Sequence, residues 1–153
     1  MKALLLSTSL FLMAGAAVAE DAIHATVIMP DAIAWKDLPS LPKGALFAII
    51  AGDPSKPGLF VQRIKLPSDY QIPAHTHPVP ETLVVLSGTY NVGEGDKFDK
   101  GKTQALKAGA FYAGPAKHPH YVWTSEETIF QMTAVGPFGI EYVNPAEDPR
   151  KSK

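Results

Sequence analysis

The chain has 153 residues, a net charge of −1 and no cysteine. That length suits one domain with one core, and the balanced charge gives no footprint for a nucleic-acid partner. Without cysteine there are no disulfides, thiolate metal sites or cysteine nucleophiles, so any metal must be held by nitrogen and oxygen.

Met1 and Lys2 give a short positive start, and Ala3 to Val18 is an uncharged run of small and apolar residues. Ala17-Val18-Ala19 is a small-x-small cleavage signal followed by Glu20 and Asp21. This is the anatomy of a secretory signal peptide over residues 1–19. A membrane anchor is the alternative, but about 16 residues fall short of the roughly 20 that span a bilayer. Cleavage leaves 134 residues (153 − 19) with 13 basic and 15 acidic side chains. The mature protein is expected to be secreted or periplasmic, with no membrane span.

Residues 20–45 read as an N-terminal arm and first strand, with a strand at Ile23–Met29 and one helical turn within Asp31–Leu38, stopped by Pro39 and Pro42. His24 reads as a surface or packing residue, and Trp35 with Asp37 as part of an arm lying over the rest. Residues 46–143 carry short apolar runs: Leu46–Ala51, Leu59–Leu66, Thr82–Ser87, Tyr90–Val92, Ala105–Ala108, Tyr121–Thr124, Thr128–Ala134 and Gly139–Val143. Gly- and Pro-containing turn signals separate nearly all of them, which predicts an all-β, antiparallel sandwich or barrel. In Leu59–Leu66, Val61, Arg63 and Lys65 share one face and Gln62, Ile64 and Leu66 the other, as in a strand buried on one side. Residues 144–153 read as an extended, partly frayed tail with solvated basic residues.

The stretch that carries chemistry runs Pro73-Ala-His75-Thr-His77-Pro-Val-Pro-Glu81 and on to Gly88. Two residues apart on a strand, His75 and His77 point to one face. Pro78 and Pro80 cannot serve a regular ladder, so a bend is expected before Glu81 opens the next strand. Alternation then puts Glu81 on the same side as Leu83 and Val85. A buried carboxylate is costly without a partner, and a cation shared with the two histidines removes that cost. Downstream, the Gly-containing stretch before Pro115 reads as a turn, and His120 opens a strand from which it can offer a third imidazole from across the barrel.

The pattern H-x-H-x3-E-x6-G, then G-x5-P-x4-H, resembles the two-part signature of the cupin superfamily. His75, His77, Glu81, Gly88, Gly109, Pro115 and His120 match it position by position. The resemblance implies a jelly-roll barrel with a three-histidine, one-glutamate metal site. Three positions depart from the family: Asp69 and Lys117 stand where glycine is usual, and Thr124 where asparagine is frequent. These are turn and packing positions, not ligands. Family spacing and Pro119 favour His120 over His118 as the ligand. His118 then sits at the barrel mouth, as a contact to a ligand or substrate or as a solvated loop residue. Tyr90, Tyr112, Phe130 and Gln131 are further candidates for the pocket wall, against the plainer reading of sheet packing.

Three imidazoles and a carboxylate suit one divalent transition metal: iron, manganese, nickel, copper or zinc. One or two open positions would admit a small-molecule substrate. The resemblance thus offers a dioxygenase, or a non-redox isomerase or hydrolase, with Glu81 doubling as a proton acceptor. The alternative is a periplasmic metal- or ligand-binding or sensing module, resembling the cupin half of ChrR-type anti-sigma factors. A homodimer through a sheet edge is compatible with the open ends of such a barrel.

Overall fold

A computed structural model describes residues 26–151. The signal-peptide expectation, His24 and residues 23–25 lie outside the described residues. The helical structure within them is confined to three short 3₁₀ turns, at Pro30–Ala32, Lys100–Lys102 and Pro145–Glu147. Among the described residues no helix is long and apolar enough to cross a membrane.

Eleven strands run in chain order: β1 (Lys36–Asp37), β2 (Leu46–Ala51), β3 (Gly58–Leu66), β4 (Tyr70–Thr76), β5 (Glu81–Ser87), β6 (Thr89–Glu94), β7 (Thr103–Lys107), β8 (Phe111–Gly114), β9 (His120–Thr124), β10 (Thr128–Gly136) and β11 (Glu141–Tyr142). They form two antiparallel sheets, ordered β1-β2-β3-β10-β5-β8 and β11-β4-β9-β6-β7. The fold is an antiparallel jelly-roll sandwich, as the short runs and turn signals predict.

Alternation places the core. Phe60, Gln62, Ile64 and Leu66 of β3 point inward and are buried, while Val61, Arg63 and Lys65 are only partly covered. Leu83 and Val85 of β5, Val122 of β9, and Phe130 and Met132 of β10 fill the space between the sheets. Burying each such side chain is worth roughly 1.5–3 kcal/mol. Gly88 makes the turn from β5 to β6 at φ 75°. A Cβ there would also sit 2.6 Å from the Thr128 hydroxyl oxygen, so glycine is required on both counts.

Three expectations need correction, and β4 is a strand that the apolar runs do not mark. Thr26–Met29 is not a strand, and Val27 and Met29 are exposed. The stretch before Pro115 forms strand β8, not only a turn. β4 is a full strand despite Pro73: opposite Val122 and His120 of β9 stand Ile72 and His75, so β4 carries one extra residue there. That bulge absorbs the proline and shifts the inward phase from Tyr70 and Ile72 to His75 and His77. Finally, the described part of the C-terminal tail is held against the barrel as far as Arg150. Asp148 is buried, and Arg150 donates to the Ile140 carbonyl at 3.0 Å.

The two family glycine positions that this sequence replaces keep the glycine conformation: Asp69 has φ 54° and Lys117 φ 59°. Loop geometry is retained at a local backbone cost. The Lys117 N–H meets the His77 carbonyl at 2.8 Å and so tethers the segment that carries His77.

Candidate metal centre

The bulge in β4 is what brings the histidines together. His75 and His120 are direct cross-strand partners on β4 and β9. His120 therefore comes from the same sheet as His75, not from across the barrel. The group that crosses is Glu81, the first residue of β5 in the other sheet. All four side chains are buried.

Each imidazole is held by its Nδ1. His75 Nδ1 lies 2.7 Å from the Pro73 carbonyl, His77 Nδ1 2.6 Å from the Gly139 carbonyl, and His120 Nδ1 3.1 Å from the His118 carbonyl. A carbonyl only accepts, so each Nδ1 donates, and each neutral ring keeps its Nε2 lone pair for something else. Phe138 stacks on His77 at a centroid distance of 4.6 Å and fixes the plane of that ring. The ligand atoms of His75, His77 and His120 all lie within 4.8 Å of one another.

Glu81 Oε1 is 3.2 Å from His120 Nε2 and 3.6 Å from His77 Nε2. Glu81 Oε1 and His120 Nε2 are buried without a hydrogen-bond partner. A lone pair thus faces a carboxylate oxygen, an arrangement that repels unless a proton or cation lies between. Nitrogens and oxygens that share an ion at about 2.1 Å lie no more than about 4.2 Å apart, and both Glu81 distances meet that limit. The donor set, its orientation and its orphaned atoms fit a divalent transition metal.

The electrostatics agree. Burial, then the neighbouring imidazoles, push His75 well below its ordinary value. Burial also lowers His77, against the pull of the Glu81 charge. For Glu81, burial alone raises the carboxyl, but His120 and His77 outweigh it and hold it below the ordinary range. His75 and His77 held neutral beside an ionised Glu81 are in the protonation states that a metal takes.

The cluster opens on a cavity of about 330 Å³ between the sheets. Tyr90 and Phe130 line it, packed edge to face at 4.9 Å. Burial raises the Tyr90 phenol far above its usual value. Gln131 does not line the cavity. It sits outward on β10 and accepts from Arg63 Nε at 3.1 Å. The inward amide is Gln62 of β3, which the alternation marks and which was not among the sequence candidates. Tyr112 is outside the cavity lining, but its buried hydroxyl lies over Gly114, where a Cβ would be 3.2 Å from that oxygen and 3.3 Å from Glu81 Cγ. Burial, with the charges of Glu81 and Glu94, pushes its phenol up to about 12. His118 points away, with Nε2 3.4 Å from Glu94 Oε2 at the surface. Phe138 and Arg150, both cavity-lining, were missed.

A two-sheeted β-barrel with three histidines gathered inside its mouth is the class of protein these features define. Residues 62–136 match the family model for the cupin domain, and the two antiparallel sheets have the jelly-roll arrangement of that fold. No curated protein matches the chain by sequence. Among solved structures it is similar to the polyketide cyclase RemF from Streptomyces resistomycificus, with TM-score 0.69 and 17% identity over 84% of this chain and 92% of that one. It is similar to a candidate acetylacetone dioxygenase from Methylibium petroleiphilum, with TM-score 0.62 and 19% identity over 83% and 86% of the two chains. It is also similar to a chain from the Rhodobacter sphaeroides complex of SigE with the anti-sigma ChrR, with TM-score 0.53 and 17% identity over 69% and 50%. At these identities the likeness is one of fold.

Proposed function

We propose that this protein is a metal-dependent enzyme of the dioxygenase type, acting on a small oxygen-bearing organic molecule, with His75, His77, Glu81 and His120 as the ligands of one divalent transition ion. The observation that carries this reading is the orphaned pair Glu81 Oε1 and His120 Nε2, 3.2 Å apart and buried at the floor of a mainly apolar cavity. Such a pair is costly in a core that binds nothing. The fold shared with a candidate dioxygenase supports the reaction class by analogy only.

A divalent ion held there supplies a Lewis acid for a substrate oxygen and, as iron, manganese, nickel or copper, a redox centre toward dioxygen. The chain's own part is separate. The three imidazoles, locked through Nδ1, offer neutral nitrogens without reorganisation. Among the described residues Glu81 is the one carboxylate lining the cavity, so it is the group placed to accept a proton from a bound substrate. Ile64, Ile72, Phe130 and Met132 give the walls their apolar character and keep water from the bound molecule. Export to the periplasm belongs to the same proposal. Mass spectrometry of protein from its native compartment should then find a mature N-terminus at Glu20.

Oxygen uptake tests the reading. Protein loaded with each of the five metals is given catechol-like and diketone substrates. Uptake with at least one metal, lost in Glu81→Gln and His77→Ala, is the expected result. Tight ligand binding without turnover for every metal would instead establish a binding or sensing module.

A further inference from the structure

We propose that Gln62 is the specificity-determining residue of this cavity and that it selects a neutral phenol whose other end carries the oxygens that meet the metal. The inference deepens the metal reading and rests on it for that second end.

Gln62 is 6% exposed and lines the cavity. It lies on the inward face of β3, and its neighbours on the sheet are apolar. Phe60 and Ile64 flank it along the strand, and Met132 of β10 and Ile49 of β2 stand opposite it. Its amide has one partner: Nε2 lies 3.9 Å from the Met132 sulfur, a weak acceptor. Oε1 accepts from no donor among the described residues. Among those residues Gln62 is also the one side-chain amide lining the cavity. A core position that needed only volume would be served by methionine or leucine. A molecule that fills the cavity covers the amide oxygen, and one that brings no donor leaves it unsatisfied at the full cost of desolvation. That penalty is the basis of selection, because a site built to bond a hydroxyl rejects the analogue that lacks it.

The register sets Gln62 apart from the metal end. Glu81 pairs with Ala134, which pairs with Phe60, and Gln62 is the next inward residue after Phe60. The Cα atoms of Glu81 and Gln62 are therefore two strands and two residues apart, about 12 Å by ordinary sheet spacings. A single ring with a polar group at each end bridges such a span. β10 runs between them, and its inward Phe130 and Met132 line the cavity together with Phe47, Tyr90 and Phe138. Faces and edges of this kind favour an aromatic body. The neighbours of Gln62 on the sheet offer no cation to hold an anion there, so the group it meets is neutral. A phenol remains protonated at neutral pH and donates its O–H to Oε1.

The probes are 1-(4-hydroxyphenyl)butane-1,3-dione and its 4-fluoro isostere, which share a diketone head for the metal and differ only in the remote donor. They are titrated into zinc-loaded and metal-free protein. The readouts are calorimetric affinity and the side-chain amide ¹⁵N–¹H spectra of the glutamines. Gln131, whose Oε1 accepts from Arg63 on the outer face, serves as the internal reference. The hydroxyl probe should bind about tenfold or more tighter than the fluoro probe, move the Gln62 amide signals and leave those of Gln131 still. In Gln62→Met that advantage should disappear, with the fluoro probe bound at least as well as in wild type. A preference for the hydroxyl that survives in Gln62→Met, or that is lost only in Tyr90→Phe, overturns the proposal. Equal binding of the two probes by wild type, or binding of neither, also overturns it, and uptake of zinc in the same protein would leave the metal reading standing. If the protein takes up no zinc while the metal-free form prefers the hydroxyl probe through Gln62, the metal reading fails and the Gln62 assignment stands. The wild-type spectra decide the matter even if Gln62→Met does not fold.

Discussion

Two sets of polar side chains are buried to a similar depth in this barrel and bonded in opposite ways. Thr124 and Thr128 are fully buried. The Thr124 hydroxyl donates to the Pro67 carbonyl at 2.7 Å, and the Thr128 hydroxyl accepts from the Thr89 N–H at 3.2 Å beside the carbonyls of Thr89 and Glu126. Glu81 and His120 are 5% and 2% exposed, yet each keeps a buried atom without a partner. Buried polar groups are normally satisfied, and Thr124 shows that the barrel does so even where the family residue is replaced. The orphaned pair is therefore the place where the proposed metal would be held.

The sharpest way to break this contrast is a pair of substitutions with unequal effects. In metal-free protein, Thr128→Val should cost about 1–3 kcal/mol, because it strands the Thr89 N–H. Glu81→Met should change metal-free stability little, because the cost of burying the carboxylate that it removes is set against the attraction of His120 and His77 that it also removes. Urea unfolding of the two variants reads both effects. Losses of similar size in both would mean that Glu81 is as well satisfied as Thr128.

Acid separates the two regions next. His75 and His77 are held below the 6.5 of a free imidazole, mainly by burial, so below about pH 6.5 the unfolded chain binds more protons than the folded one. Metal-free stability should fall with acid, by about 1.4 kcal/mol per pH unit for each histidine at full slope. Glu81, held below 4.5, acts in the same direction at lower pH. His75→Gln should flatten the slope between pH 6.5 and 5, whereas Thr128→Val should shift the whole curve without changing it. A slope unaltered by His75→Gln would contradict the burial of a neutral imidazole.

The smallest effect concerns the left-handed residues. Lys117→Gly should gain about 0.5–1 kcal/mol, once relief of the φ 59° backbone is set against glycine's greater freedom when unfolded. The hydrogen bond to the His77 carbonyl involves only the backbone and persists. Asp69→Gly should gain less, because aspartate tolerates this conformation better. A loss of stability in Lys117→Gly would show that its side chain makes a contact worth more than the strain.

What was legible in the sequence follows from how local each signal is. His75, His77 and Glu81 lie within one short stretch where period-two alternation and two prolines place them, and β2 and the inward face of β3 follow from the same rule. β4 was harder to read because Pro73 interrupts it and a bulge shifts its phase, so no single alternation describes it. The side from which His120 enters depends on strand order, which pairing decides and composition does not. Gln131 could have been set aside at once: Phe130 points inward, so its neighbour on a regular strand points out. Arg150 was hidden for another reason. An acidic and a basic residue two apart in a charged tail look wholly solvated, and only the burial of Asp148 and the long-range bond from the half-exposed Arg150 to the Ile140 carbonyl show that they hold the tail to the barrel.

The most direct test of the central claim is a calorimetric titration of metal-free protein with Zn(II), run on wild type, His120→Ala and His118→Ala. The account predicts one ion per chain in wild type, a melting temperature that rises with free zinc, loss of both in His120→Ala, and no change in His118→Ala. Saturable binding that survives in His120→Ala, or zinc that binds without raising the melting temperature, would contradict a metal held by the orphaned pair between the sheets.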